Sequence, residues 1–448
     1  MTNNSYLIRN AFIVNEGKTV KGNILIVDGK IAQINARSED IPANITVIEA
    51  SGKYLLPGII DTHVHFREPG LIYKGDIHTE SRAAVAGGVT SFMDMPNTVP
   101  PVLTQEILEE KFRLAKDKAL ANYSFYMGSS NNNLAEVLKT NPETVCGVKI
   151  YLGSSTGNML VNKPEAVEQL FERCPTILAA HCEDEGIISA NAKQYRIKYG
   201  GNPPPAAHAL IRNEECCYRS TSHAVELAQK YNTRLHVVHV STKKETTLFN
   251  NSIPLEEKMI TSEVCVHHLW FSDKDYINKG NLIKWNPAIK TTDDRNGLME
   301  ALLKDLIDTV ATDHAPHTAH EKEESYCNCP SGAPMVQHSL VAMLEFYHHG
   351  VISLEDIVRK MCHSPAICFR IRNRGFIREG YWADLTLVDL NSPWTVDKSN
   401  ILYKCGWSPM EGETFRSRVT HTFVNGHLVY NKGAIDESVK GSRLRFDR

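Results

Sequence analysis

His63 and His65 stand one residue apart in the stretch DTHVHFREPG, residues 61–70, with Arg67 two positions beyond. On an extended strand successive side chains alternate in direction, so two imidazoles at this spacing share a face and can reach one centre. That geometry suits a metal ion, for which histidine nitrogen and carboxylate oxygen are ordinary ligands. The pattern recurs where later apolar runs end: His181 in TILAAHCED, His239 in RLHVVHVST and Asp313 in DTVATDHAPH. A single histidine closing a strand is ordinarily a packing or hydrogen-bonding residue, and His236, His267, His268, His348 and His349 are read that way. Four histidines and an aspartate that each close an apolar strand are harder to satisfy without a shared cation. The set carries the inference, not any one member.

Lys149 raises a separate question. CGVKIYLG reads as a strand buried on both faces, where lysine is rarely found without a partner. Either the side chain snorkels to the surface, or desolvation has left its amine neutral and able to capture carbon dioxide. The resulting carbamate is an anionic oxygen ligand that can bridge two cations.

The elements that must position these groups follow from the pattern of apolar residues. Short alternating runs at 6–14, 22–34 and 45–50, and again at 376–390 and 419–430, read as strands, with Asn425-Gly426 as a hairpin turn. Between them, short apolar runs alternate with stretches of helical spacing such as residues 104–121 and 222–231. Eight candidate strands end near His65, Met95, Met127, Tyr151, His181, His239, Glu263 and Asp313. Strands separated by helices in this way predict an α/β fold, a (β/α)8 TIM-type barrel over 56–369. The chain ends, 1–55 and 370–448, are expected to form a small composite β-sandwich domain. The polar groups then fall at the C-terminal ends of the barrel strands, where barrel active sites are built.

The bulk composition excludes other classes. Among 448 residues, 49 Lys and Arg stand against 52 Asp and Glu, a net charge of −3 with no long run of either sign, so neither nucleic acid nor an anionic membrane is expected as a partner. The N-terminus lacks a secretory pattern and no apolar stretch approaches the roughly 20 residues that span a bilayer, which predicts a cytoplasmic protein. The odd number of cysteines, 11, fits reduced thiols better than a disulfide framework, and Cys327 with Cys329 is only a weak zinc motif.

Taken together, DTHVHFREPG, FMDMPNT, GVKIYLGSSTGN, AAHCED, HVST, WNPAIKT and ATDHAPHT resemble the cyclic amidohydrolases of the amidohydrolase superfamily, and within them the dihydroorotases. The resemblance implies two zinc ions bridged by a carboxylated Lys149 and a hydroxide. His63, His65 and Asp313 would hold the first ion, and His181 and His239 the second. Some dihydroorotases bridge with aspartate; this sequence offers the lysine version. The resemblance also implies that Arg67, Asn97 and His317 bind a substrate carboxylate, for which a guanidinium fork is well matched, and that Asn286 lies in the substrate pocket. The reaction implied is reversible hydrolysis of dihydroorotate to N-carbamoyl-aspartate, the ring-closing step of pyrimidine synthesis run in reverse. The hydroxide attacks the ring amide while Asp313 serves as general base and then acid.

Arg67 separates this reading from its rivals. Allantoinases resemble the chain but tend to carry asparagine there, and hydantoinases and dihydropyrimidinases lack the arginine because their substrates lack the ring carboxylate. A homologue that had lost its chemistry would lack ligands, and here every position is filled. The sequence departs from the family after Ser331-Gly332-Ala333-Pro334, where Met335, Val336 and Gln337 replace a pattern with a further glycine and a glutamate. Residues 154–158 (SSTGN) are expected either to cover substrate or to serve as an ordinary connection, and residues 321–329 to be a lid or inert surface. A homodimer is expected.

Overall fold

The computed structural model of the chain describes residues 5–36, 41, 44–153 and 159–448. The segment 154–158 lies outside the described residues.

Five strands open the chain: β1 (Tyr6–Asn15), β2 (Lys18–Val27), β3 (Lys30–Ile34), β4 (Thr46–Glu49) and β5 (Tyr54–Pro57). The eight strands of the barrel follow: β6 (Ile59–Val64), β7 (Val89–Asp94), β8 (Asn122–Gly128), β9 (Gly147–Tyr151), β10 (Leu178–His181), β11 (Leu235–Val237), β12 (Ile260–Cys265) and β13 (Thr309–Ala311). Each pairs in parallel with its sequence neighbours. The ring closes where Val64 bridges His314 and the His65 amide donates to the His314 carbonyl at 2.7 Å. All eight strands anticipated from the sequence are present, ending within two residues of the expected positions. The strands are nearly continuous in burial, as sheets covered on both faces require.

The outer helices form for local reasons. The helix Gln105–Lys118 has Thr104 as its N-cap and buries Leu108, Phe112 and Ala115, spaced four and three residues apart on one face. The helix expected over 222–231 begins earlier, at Glu214, because the Asn213 side chain accepts the Cys216 amide and caps it there. Glu214 and Glu215 in its first turn suit the positive end of the helix dipole.

The two chain ends meet in one sheet. Strands β14 (Leu385–Asp389), β17 (Arg418–Val424), β18 (His427–Asn431) and β19 (Ala434–Ile435) join the first five in the order β19-β18-β17-β14-β5-β1-β2-β3, with β4 also on β1. A bulge between Ile8 and Ala11 lets the first half of β1 pair with β4 and the second half with β5. The anticipated turn is present, with Asn425 and Gly426 both at positive φ (51° and 74°). Of residues 376–390 only β14 is a strand, because Arg378 to Tyr381 turn back on themselves before it. A two-strand ribbon, β15 (Trp394–Thr395) with β16 (Thr414–Phe415), stands apart from the main sheet. The last residues leave the sheet and lie against the barrel: Leu444 donates to the Tyr123 carbonyl, and the Arg448 guanidinium to the carbonyls of Cys146 and Phe369.

None of the cysteines forms a disulfide. Among the described residues, no helix is long and apolar enough to cross a membrane.

Candidate active site

The C-terminal mouth of the barrel holds a cavity of about 160 Å³ whose lining includes all ten site residues singled out in the sequence: His63, His65, Arg67, Asn97, Lys149, His181, His239, Asn286, Asp313 and His317. These positions span more than half of the chain, and barrel closure alone brings them together. A cavity this size fits one small ring, well below a drug-sized ligand pocket.

Three of these residues take backbone conformations that L-amino acids rarely adopt: φ is 69° at Arg67, 43° at His239 and 45° at Asp313. Each follows a barrel strand, where the chain leaves the sheet and aims a side chain inward. Strain of this kind costs on the order of 1–3 kcal/mol per residue and persists only where packing overdetermines it.

His63 and His65 direct Nε2 at the same oxygen, Asp313 Oδ1, at 3.3 and 3.1 Å. The opposite nitrogens are both tied down. His63 Nδ1–H donates to Glu263 at 2.9 Å, and His65 Nδ1–H donates to Asn97 Oδ1 at 2.6 Å. A neutral imidazole with one nitrogen so engaged must present a lone pair at the other. Across the cavity His181 Nδ1 and His239 Nε2 are 2.8 Å apart, while His181 Nε2–H donates to Glu183 at 2.9 Å. Burial holds all four imidazoles below their usual pKa, in the neutral form that binds cations. His63, His65 and Asp313 form a group whose ligand atoms lie within 4.8 Å of one another. The donor set fits a divalent cation.

Lys149 is fully buried, and its Nζ has no hydrogen-bond partner among the described residues. The snorkelling alternative is thereby removed. Burial lowers its pKa to about 8, against the raising influence of Glu263 and Asp313. The Nζ sits 5.1 Å from the ring of Tyr151, whose hydroxyl is also buried without a partner. An amine this accessible to neutralisation, facing a cavity lined with neutral imidazoles, fits carbamate formation.

On the opposite wall Arg67 is buried, so a surface ion pair with Glu68 is ruled out. Its Nε–H donates to the Pro316 carbonyl at 2.9 Å, and its Nη2 lies 3.0 Å from His317 Nε2. Among the described residues, no acidic side chain pairs with this guanidinium. Glu68 instead pairs with Lys118 and accepts the Ile77 amide.

The loop that departs from the family's pattern is firmly held. Ala315 N donates to the Ala333 carbonyl at 3.0 Å, Gly332 N to Lys284 at 2.8 Å, and Met335 N to His314 Nδ1 at 2.9 Å. Gln337 turns away from the cavity to bond Asn400 and Leu402. Residues 321–329 are not inert surface: Tyr326 Oη bonds His208 Nδ1 at 2.8 Å, and Lys284 Nζ donates to the carbonyls of Tyr326 and Cys329. Cys327 and Cys329 join no cluster of metal-ligating side chains among the described residues. The histidines read as packing residues stay out of the cavity: His236 bonds Thr261, His268 the Pro287 carbonyl, His348 Ser417 and His349 the Glu345 carbonyl, while His267 stacks on Trp285.

Sequence reasoning missed the carboxylates behind the histidines. Glu183 was within reach, since it lies two residues after His181 and so shares its direction, the argument that paired His63 with His65. Burial pushes Glu183 up, but Arg212 and His181 outweigh it and bring its pKa down to about 2. Glu263, which also accepts from Thr62 Oγ1 at 2.7 Å, carried only the weaker signal of an acid inside an apolar strand.

Residues 54–429 match the amidohydrolase family, and the chain belongs to that family. A dihydroorotase of Pyrococcus furiosus is 32% identical over 438 residues, 96% of each chain. An allantoinase of Bacillus velezensis is 30% identical, covering 96% of this chain and 95% of its own. Among solved structures, the L-hydantoinase (dihydropyrimidinase) of Arthrobacter aurescens matches with a TM-score of 0.90 and 28% identity over 97% of this chain and 98% of its own. The protein is therefore a hydrolase acting on small cyclic amides, within a metal-dependent family.

Proposed function

We propose that the chain is a dihydroorotase, opening dihydroorotate to N-carbamoyl-aspartate and, in the cell, closing that ring in pyrimidine synthesis. The observation that carries this reading is Arg67: a buried guanidinium with a backbone carbonyl but, among the described residues, no carboxylate paired with it, at the wall of a cavity sized for one ring. A buried cation of this kind calls for an anion. The dihydroorotate carboxylate supplies it, whereas hydantoin and allantoin carry none.

His63, His65 and Asp313 would hold one zinc ion, His181 and His239 a second, and a carboxylated Lys149 would join the two. When bound, the metals acidify a water and polarise the amide carbonyl. The protein's own residues do the rest. Arg67 and His317 on one side and Asn97 on the other fix the carboxylate, so the scissile amide faces Asp313, with Asn286 bounding the ring. Asp313 takes the proton of the attacking water and returns it to the ring nitrogen as the C–N bond breaks, acting as base and then acid. Ring closure uses the same groups in reverse. We further place the enzyme in the cytoplasm as a homodimer, which light scattering on the purified protein and cell fractionation test.

The deciding experiment follows the loss of ring absorbance as zinc-loaded protein hydrolyses dihydroorotate, beside Arg67→Ala with its metal content verified. Active wild type and a loss of at least about 100-fold in kcat/KM for the variant are expected. A metal-replete wild type that ignores dihydroorotate but opens allantoin or a hydantoin would replace this reading with the one that the allantoinase relative favours.

A further inference from the structure

We infer that Lys74 is a positioning residue for carboxylate recognition, fixing His317 as the tautomer that donates into the cavity. The inference rests on the dihydroorotase reading for the identity of the anion, though not for the tautomer itself.

Lys74 is buried on the segment that follows Arg67, and its Nζ approaches His317 Nδ1 at 2.9 Å. The same ammonium pairs with Glu321 at 2.7 Å. Burial alone would push the amine toward neutrality. The Glu321 carboxylate opposes that, and the Lys74 ammonium and the Thr318 amide hold Glu321 ionised. An ammonium has three donors and no acceptor, which favours a lone pair on Nδ1, and the Glu321 carboxylate lies 3.7 Å from that nitrogen, beyond hydrogen-bond reach. His317 is held neutral by burial and by the charges of Arg67 and Lys74, and with a cationic donor at each ring nitrogen its one proton goes to Nε2, the nitrogen with an acceptor in hydrogen-bond reach.

Nε2 faces two groups, the Ser331 carbonyl at 3.1 Å and Arg67 Nη2 at 3.0 Å. The carbonyl can accept the Nε2 proton. The guanidinium nitrogen cannot, because it is itself a donor. Two donors thus converge from Arg67 and His317, and an acceptor placed between them satisfies both. A carboxylate oxygen does so with charge assistance from the guanidinium. The relay Glu321–Lys74–His317 acts one step removed from substrate, selecting an anion over a neutral ring edge. Without the Lys74 ammonium, His317 is free to carry its proton on Nδ1 toward Glu321, and Nε2 becomes an acceptor that repels the carboxylate.

The test compares wild type with Lys74→Met and Lys74→Arg. For Lys74→Met, KM for dihydroorotate is expected to rise about 10- to 100-fold while kcat stays within about threefold, as for loss of ground-state binding to a charged group. Lys74→Arg, which retains a donor, recovers most of that loss. Ring-nitrogen shifts of 15N-histidine-labelled protein, assigned with His317→Gln, read the tautomer directly and need no turnover: wild type shows protonated Nε2, and Lys74→Met loses it. Unchanged KM and an unchanged tautomer in Lys74→Met overturn the inference. If Lys74→Met does not fold, Glu321→Gln is read the same way, with a smaller rise in KM expected and no change counting against it. A wild type inactive on dihydroorotate would sink the functional reading, while the nitrogen shifts still decide the role of Lys74.

Discussion

The Glu263 carboxylate lies 2.9 Å from His63 Nδ1, and that bond determines which edge of the imidazole faces the cavity. Both groups are buried, and Glu263 stays ionised because its bond to His63 and the His236 ring 3.6 Å away outweigh the cost of burial. His181 and Glu183 repeat the arrangement on the other wall. In both pairs the carboxylate accepts a hydrogen bond from one ring N–H and leaves the second nitrogen as a lone pair, the standard way a protein orients a histidine for a cation.

Glu263→Gln tests this directly. The amide preserves shape but weakens the acceptor and removes the charge that keeps Nδ1 protonated. Apparent zinc affinity, measured by competition with a chromogenic chelator, is expected to fall about 10- to 100-fold. Equal affinity in wild type and variant would show that Glu263 serves only the packing of the barrel core.

Lys149 gives a second test. If its amine forms a carbamate, metal-free protein reloaded with zinc in carbon-dioxide-depleted buffer should recover slowly, and bicarbonate should restore the rate. With 13C-bicarbonate a carbamate resonance should appear in wild type and be absent from Lys149→Met, whose zinc content should drop. Full zinc loading of Lys149→Met would exclude a bridging role.

The fold was more legible than the finer parts of the site. Eight strands could be read because each is a short apolar run closed by a polar residue, and His63, His65, His181, His239 and Asp313 followed because barrel strands deliver their last side chains to one mouth, whereas Arg67, Asn97, Asn286 and His317 were legible only through the family resemblance. Glu263 and Lys74 were not legible for a different reason. Glu263 meets His63 across 200 residues of sequence, and Lys74 meets His317 across 243, through barrel closure and loop packing that leave no local periodicity. The early start of the helix at Glu214 was hidden because Cys216 and Cys217 blur its apolar face, leaving only the Asn213 cap as a signal.

Asp313→Asn separates proton transfer from cation binding. The amide cannot accept the water proton, so kcat per bound metal should fall by about 100- to 10,000-fold. Because Asp313 Oδ1 also sits within 3.3 Å of both His63 and His65, metal content must be measured in the same sample. A variant that retains near wild-type kcat per bound metal would move the proton-transfer role to another group.

The pH dependence of stability has its clearest source outside the cavity, at His338. The ring is buried, its Nδ1 accepts the Ser408 hydroxyl at 3.0 Å, and burial, with a smaller contribution from His314, brings its pKa down to about 3. In the unfolded chain it titrates near the ordinary histidine value of about 6.5. Between those values the unfolded state binds the additional proton, so stability rises with pH across the window. The contribution is complete above about pH 6.5 and drains as the pH falls toward 3, a loss on the order of 2 kcal/mol between pH 7 and pH 5. In His338→Asn the amide oxygen can still accept from Ser408 but nothing titrates. The variant should be less stable than wild type at pH 7, yet its urea midpoint should fall less between pH 7 and pH 5. Parallel pH profiles for the two proteins would show that the buried ring does not resist protonation.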